Sequence, residues 1–174
     1  MKKNIVLTGL LAAMVLLAIY FLHIPIVGGG YVHLGDTVIY LAAAVLPMPL
    51  AMVAAAVGAG LADVLVAPMW AIPTILIKAV MVIAFTSKKE RLLCPRNLVA
   101  PVIAGAVGVA GYYVAEVCIV TLSGSSVAAA AVAAVAAIPF NALQELVGGV
   151  AFVLLAAALD RVHIKKRLFR ATYT

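Results

Sequence analysis

Gly28-Gly29-Gly30-Tyr31-Val32-His33-Leu34-Gly35-Asp36 sits between two long apolar runs. Its glycines permit backbone that other residues avoid, and it brings a tyrosine, a histidine and a carboxylate into a chain that elsewhere reads as lipid-soluble helix. Where most of a sequence is apolar, such a stretch binds something or caps something.

The composition sets the medium. The chain has 174 residues, 67% of them hydrophobic and 10% charged, whereas a soluble domain carries about a quarter charged residues. Apolar runs recur near the roughly 20 residues that cross a bilayer as helix. They lack the strict alternation of an outer-membrane barrel. The expectation is one all-α integral membrane domain over residues 1–174, with six transmembrane helices in one bundle. Met1-Lys2-Lys3 followed by Ile5 to Leu22 has the look of a secretory signal. Its apolar part is long, however, and His23-Ile24-Pro25 offers no small-x-small cleavage site, so it is read as the first span.

The six predicted spans cover about 4–22, 36–46, 50–65, 73–86, 98–122 and 139–159, with an external loop over 24–35. Asp36 is placed as the N-cap of the second span, and Pro47-Met48-Pro49 makes a tight turn before the third. Pro139 falls in the first turn of the last span. Residues 127–137 before it are read as an external or partly re-entrant helix. The formal charge of +6 would suit a nucleic acid or a lipid headgroup, but its distribution gives a plainer reading. Apart from Lys78, the basic residues gather at the N-terminus, in the loop from Lys88 to Arg96, and from Arg161 to Arg170. Those are cytoplasmic sides under the positive-inside rule, with both termini inside and no nucleic-acid partner. Cys94 falls in the basic loop and Cys118 in an apolar helix, so neither a disulfide nor a metal site is expected.

Four ionisable side chains lie within spans: Asp63, Lys78, Glu116 and Glu145. Each costs on the order of 2.5–3.5 kcal/mol at a helix centre facing lipid, so they should face inward, pair, or meet a cavity. The loop assignment puts them at similar depth near the outer face, with Tyr31, His33, Trp70, Tyr112, Asn141 and Gln144. A shared outward-opening pocket would unite them. Asp63 with Lys78 is equally readable as a structural ion pair, and Asp36 as a cap. With one lysine to neutralise several carboxylates, Glu116 or Glu145 is either protonated or awaits a cationic or amino-bearing ligand. No nucleophile elbow, His-Glu-x-x-His, Gly-x-Gly-Asp or phosphate-cradling loop is present, so catalysis is not expected. Nor do Asp36, Asp63 and His33 have metal-ligand spacing. Any active transport would need a separate motor.

The order Gly30-Tyr31-Val32-His33-Leu34-Gly35-Asp36, Leu41-Ala42-Ala43, Leu46-Pro47, Gly58-Ala59-Gly60-Leu61-Ala62-Asp63, Pro73-Thr74 with Ile77-Lys78, and Asn141, Gln144, Gly148 resembles the substrate-binding S component of energy-coupling factor (ECF) vitamin transporters, in the riboflavin-transporter-like branch. The resemblance covers most of the chain. It implies a non-catalytic six-helix subunit, without cofactor, in a bacterial or archaeal cell membrane. Such a subunit captures a vitamin or precursor outside, then docks on a transmembrane coupling subunit driven by two cytoplasmic ATPases. It implies binding by Tyr31, His33, Asp63, Trp70, Lys78, Tyr112, Glu116, Asn141, Gln144 and Glu145. The family's Ala-x-x-x-Ala docking face corresponds here to Gly9-x-x-x-Ala13. Several carboxylates against one lysine disfavour strongly anionic vitamins such as folates. Thiamine, its hydroxymethylpyrimidine precursor or a pyridoxine-like vitamin are preferred, with riboflavin next. The competing expectation is a stand-alone ion-coupled carrier or channel with a proton path through Asp63, Lys78 and the two glutamates.

Overall fold

The computed structural model describes residues 2–25 and 31–169, so Gly28, Gly29 and Gly30 lie outside the described residues. Among the described residues the regular structure is helical apart from one short hairpin. Helix α1 spans Lys2–Phe21; strands β1 (His23–Pro25) and β2 (Tyr31–His33) follow. Then come α2 (Gly35–Val45), α3 (Met48–Val66), α4 (Ala71–Met81), α5 (Pro95–Leu122), α6 (Val127–Ala134), α7 (Ile138–Arg161) and α8 (Ile164–Phe169). The strands pair antiparallel, with His23 opposite His33 and Pro25 opposite Tyr31. The sequence reading placed only a loop there.

Among the described residues four helical stretches are long and apolar enough to cross a membrane: Lys2–Phe21, Met48–Val66, Pro95–Leu122 and Val127–Arg161. Gly35–Val45 and Pro68–Ala84 are apolar but shorter. The helices close a ring: α1 packs on α3, α3 on α4, α4 on α5, α5 on α7, α7 on α2, and α2 back on α1 and α3. That order puts α2 deepest. Gly35, Asp36, Thr37, Ile39, Tyr40 and Ala42 to Val45 are all buried, so this short helix serves as core, and its polar residues face protein instead of lipid. Leu10, Val53, Val64, Val102 and Leu154 are exposed around the outside. An apolar exterior with a polar interior is what a bilayer solvent selects.

Proline and serine set the breaks. Pro49 lies in the first turn of α3 and Pro95 opens α5, positions where the missing amide costs nothing. The long apolar stretch after the serine-rich turn is divided at a 3-10 segment, Val135–Ala137, and α7 restarts with Pro139 in its first turn. Ser126 caps α6 by accepting from the Ala129 amide at 3.3 Å. Asp36 is not the cap of α2. The N-cap is Leu34, with no side-chain bond to the helix, and Asp36 stands inside the first turn with its carboxylate turned to other helices. Propensity named the right turn but could not see the partners that claim the side chain.

The basic end of the bundle is tied by backbone carbonyls and amides. Lys165, buried on α8, donates to the carbonyls of Ala44 at 3.0 Å, Ser87 at 2.7 Å and Lys89 at 2.6 Å, and burial pulls its ammonium below the usual lysine range. Asp160 accepts from the amides of Leu92 at 2.7 Å and Leu93 at 3.0 Å. Asn97 satisfies both the Thr86 amide and carbonyl, each at 2.8 Å. An irregular loop at this depth survives because its polar backbone is paired.

Where α1 meets α3, Gly58 lets the backbones touch: an added Cβ would stand 2.5 Å from the Ala12 carbonyl oxygen and 2.7 Å from Val15 Cβ. Gly58→Leu should therefore lower stability by about 1–3 kcal/mol through overpacking. This is read as a lower melting temperature of the detergent-solubilised chain, and an unchanged melting curve would show that α1 does not rest on α3.

Candidate functional site

Two polar layers lie one above the other at the hairpin end. The deeper is an ion cluster. Lys78 on α4 places Nζ 2.6 Å from Asp36 Oδ1 on α2 and 3.5 Å from Glu145 Oε1 on α7, and Lys78 and Asp36 are both fully buried. Gln144 Nε2 donates to Asp36 Oδ2 at 2.8 Å, and the Tyr40 hydroxyl donates to Glu145 Oε2. The ammonium also stands 5.2 Å from the Tyr112 ring centroid. Below, Tyr40, Phe85 and Phe152 pack ring against ring at centroid distances of 4.9, 6.1 and 5.5 Å. Sequence reasoning weighed a pairing of Asp63 with Lys78; the structure instead gives Lys78 to Asp36 and Glu145.

Glycines make this convergence possible. A Cβ on Gly148 would lie 3.0 Å from Asp36 Cβ, so α2 and α7 are in near backbone contact; Thr37 Oγ1 donates across that contact to the Gly148 carbonyl at 3.3 Å. On α5, a Cβ on Gly108 would stand 3.0 Å from Glu145 Cδ. Larger residues there would push the carboxylates away from Lys78.

The upper layer is a cleft lined by Tyr31, His33, Asp63, Trp70, Thr74, Tyr112, Glu116, Ala137, Asn141 and Gln144. Its cavity of about 50 Å³ holds a few waters. Gln144 joins the layers: while Nε2 holds Asp36, Oε1 accepts from the His33 backbone amide at 3.1 Å. Tyr31 donates its hydroxyl to Asp63, which ties β2 to α3. Thr74 and Tyr112 share a hydrogen bond of 3.1 Å between α4 and α5. Trp70 leans on Tyr112 with ring centroids 5.9 Å apart. The side chains of Glu116 and Asn141 have no hydrogen-bond partner among the described residues. Among the described residues no arginine or lysine lines the cleft.

Of the residues singled out from sequence, Tyr31, His33, Asp63, Trp70, Tyr112, Glu116, Asn141 and Gln144 meet in the cleft, while Lys78 and Glu145 lie beneath it in the ion cluster. Thr74, quoted only as part of a motif, and Tyr40 were not named as site residues. A signal existed for both: Thr74 precedes Lys78 by four and Tyr40 follows Asp36 by four, so each shares a helical face with a charge. Among the described residues no group of three or more His, Cys, Asp or Glu side chains is placed to hold a metal ion.

The hairpin residues titrate away from their usual ranges. Burial is the main cause for His33, whose imidazole is pulled down to about 4. Its Nδ1 accepts from the Gly35 amide at 3.1 Å, which leaves the proton on Nε2. The Tyr31 hydroxyl is raised, first by burial and then by Asp63, and stays a donor.

Such an arrangement, a polar cleft over a neutralised ion cluster inside an apolar helical bundle, defines a membrane-embedded binding protein. The family model of the ECF-type riboflavin transporter, S component, matches residues 1–161. The chain belongs to that family, which is one of transporter components and not of enzymes. Among solved structures, the chain is similar to one titled "Structure and mechanism of the S component of a bacterial ECF transporter", at 18% identity and a TM-score of 0.72, covering 92% of this chain and 97% of that one. At that identity the likeness shows the fold. No curated protein sequence matches the chain.

Two outcomes follow from this geometry. Lys78→Met leaves two carboxylates facing each other without a cation, and should cost about 3–5 kcal/mol, visible as a much lower unfolding temperature in detergent; a loss no larger than that of Asp63→Asn would contradict the cluster's role. His33 binds its proton in the folded chain only near pH 4, whereas the unfolded ring does so near 6.5. The unfolded state therefore holds more protons in that window, and stability should fall as pH drops from about 6.5 to about 4. A histidine resonance for His33 titrating near 6.5 by NMR would refute it.

Proposed function

We propose that the chain captures riboflavin from outside the cell, and that Tyr31, His33, Asp63, Trp70, Tyr112, Glu116, Asn141 and Gln144 form its binding surface. Lys78 and Glu145 act from beneath, holding that surface in place. The observation that carries this reading is the cleft itself, where Glu116 and Asn141 keep unused hydrogen-bonding capacity beside the Trp70–Tyr112 ring pair. A flat heterocycle with both donors and acceptors on its edge fits that chemistry. The family description names riboflavin, which moves it ahead of the thiamine- and pyridoxine-like ligands that the residues alone favour. The cavity admits waters rather than a tricyclic ring, so the ligand must displace Tyr31 and His33 on the hairpin. The Tyr31–Asp63 bond is the contact to break.

The same reading supplies the topology and partners. Four long and two shorter apolar helices support six crossings. With basic residues at the end opposite the cleft, both termini then lie in the cytoplasm of a bacterial or archaeal cell, and residues 1–174 act as one transmembrane domain. Gly9 has open space where a Cβ would be, and Ala13 is exposed, on the outward face of α1. That face suits close approach by a coupling subunit driven by two ATPases, since the chain itself shows no nucleotide-binding loop.

Flavin fluorescence tests the proposal. The purified chain in detergent should quench riboflavin without ATP. It should prefer riboflavin to its phosphate ester, because no cation in the cleft meets the added charge. Glu116→Gln and Asn141→Ala should each weaken binding by about tenfold, one lost hydrogen bond at roughly 1.4 kcal/mol. Saturable binding of thiamine or pyridoxine with no response to riboflavin would replace the ligand. Uptake into vesicles containing this chain alone would favour the ion-coupled carrier.

A further inference from the structure

Between α5 and α7, away from the cleft, runs a groove of about 870 Å³ walled by Leu98, Val102, Ala106, Leu146, Val150 and Leu154. It opens sideways on the apolar exterior. Leu146, Val150 and Leu154 recur at four-residue steps, and Arg161, seven beyond Leu154, falls on the same face of α7. At 1.5 Å per residue it lies about 10 Å further along the axis. There the chain bends: His163 holds a φ of 54°, the one non-glycine residue among those described with positive φ. Left-handed backbone is unfavourable for such a residue. The bend turns α8 so that Arg161, Val162, His163, Lys166 and Arg167 surround a second hollow of about 350 Å³.

The cations of that hollow are not spent on the fold. Among the described residues neither Arg161 nor Arg167 has a carboxylate within ion-pair distance, and Lys166 meets Glu90 only at the exposed surface, 3.3 Å apart. Asp160, the nearest acid in sequence, has both oxygens taken by the Leu92 and Leu93 amides. Contrast Arg96, which donates to the Ile83 and Ala84 carbonyls. A slot sized for hydrocarbon thus leads along one face of α7 to Arg161, which shares the hollow with Arg167 of α8, neither with a carboxylate partner among the described residues.

We propose that an anionic phospholipid occupies this surface, its phosphate between Arg161 and Arg167 and one acyl chain in the α5–α7 groove. Guanidinium forks match phosphate oxygens, and basic pockets at helix ends on the positively charged side of a membrane protein select acidic headgroups. Among the described residues no carboxylate lines the hollow to meet the ammonium of a zwitterionic lipid, and Glu90 beside it is engaged by Lys166. The chain in the groove would also cover Glu145, which contributes to its wall, and keep water from the buried cluster on that side.

Native mass spectrometry of the whole chain released from detergent tests this, with phosphatidylglycerol, phosphatidylcholine and soluble glycerol 3-phosphate as probes. Phosphatidylglycerol should be retained about tenfold more than phosphatidylcholine. Arg161→Gln with Arg167→Gln should remove that preference, and Ala106→Phe, which fills the groove from an exposed position, should reduce retention of both lipids. Equal retention of the two lipids by the unmodified chain would overturn the proposal without recourse to any variant. So would an unchanged preference in the double variant, once thermal unfolding shows it folded. Displacement of phosphatidylglycerol by glycerol 3-phosphate would identify a soluble-anion site and overturn the lipid assignment.

Discussion

A lysine ammonium with no exposure to solvent has to be neutralised where it stands, and in this chain that requirement organises the bundle. Lys78 sits on α4, and its two carboxylates come from α2 and α7. Removing ions from water costs several kcal/mol each, returned only when geometry is good and the remaining lone pairs are bonded. Gln144 and Tyr40 supply those bonds. One ion cluster therefore fixes the relative height of three helices whose apolar surfaces would tolerate sliding, because lipid provides no hydrophobic drive to hold helices in register.

The cleft inherits its shape from that constraint. Gln144 holds Asp36 with one end of its amide and the His33 backbone with the other, so the hairpin is positioned by the same group that completes the cluster. Glu116 and Asn141 are left out of that network among the described residues. The groups of the cluster are buried and paired, whereas Glu116 and Asn141, assigned to the ligand under the proposed function, are half-buried and without a side-chain partner among the described residues. A change in the lower layer should thus alter stability first and binding second, whereas a change in Glu116 or Asn141 should do the reverse.

How much of this was legible in the sequence depends on the range of the forces. The membrane class, the helices and the polar set follow from composition and from the cost of charge in lipid, which act residue by residue. Most of the cleft residues were named that way. Pairings were not legible, since they depend on which helices are neighbours. Asp36 obeys the local rule for an N-cap yet is taken by Lys78, and Asp63 was weighed against Lys78 but bonds Tyr31. The hairpin was missed because its strands are three residues each, too short for any periodicity. Tyr40, and Thr74 beyond its place in the Pro73-Thr74 motif, were not assigned to the site although four-residue spacing from a charge marks both, because neutral hydroxyls in an apolar run look like filler.

Helix α7 shows why the two ends of the chain differ chemically. Near its start it offers Asn141, Gln144 and Glu145; at its finish it offers Asp160 and Arg161. At the cleft end the cation is buried and the acids that line the opening are uncompensated, so the local field favours a ligand rich in hydrogen-bond donors and disfavours an anion. At the other end Asp160 is consumed by backbone amides and, among the described residues, Arg161 and Arg167 have no carboxylate partner, so the field there suits an anion. Both ends satisfy the same accounting of buried polar groups, with opposite signs left over. The glycine positions between them, Gly148 and Gly149, face Asp36 and Pro101 in turn, and so allow a single helix to touch α2 on one side and α5 on the other. The cleft and the lateral groove are consequently two faces of one element, meeting at Glu145, whose carboxylate binds Lys78 on the inside and whose side chain forms part of the groove wall.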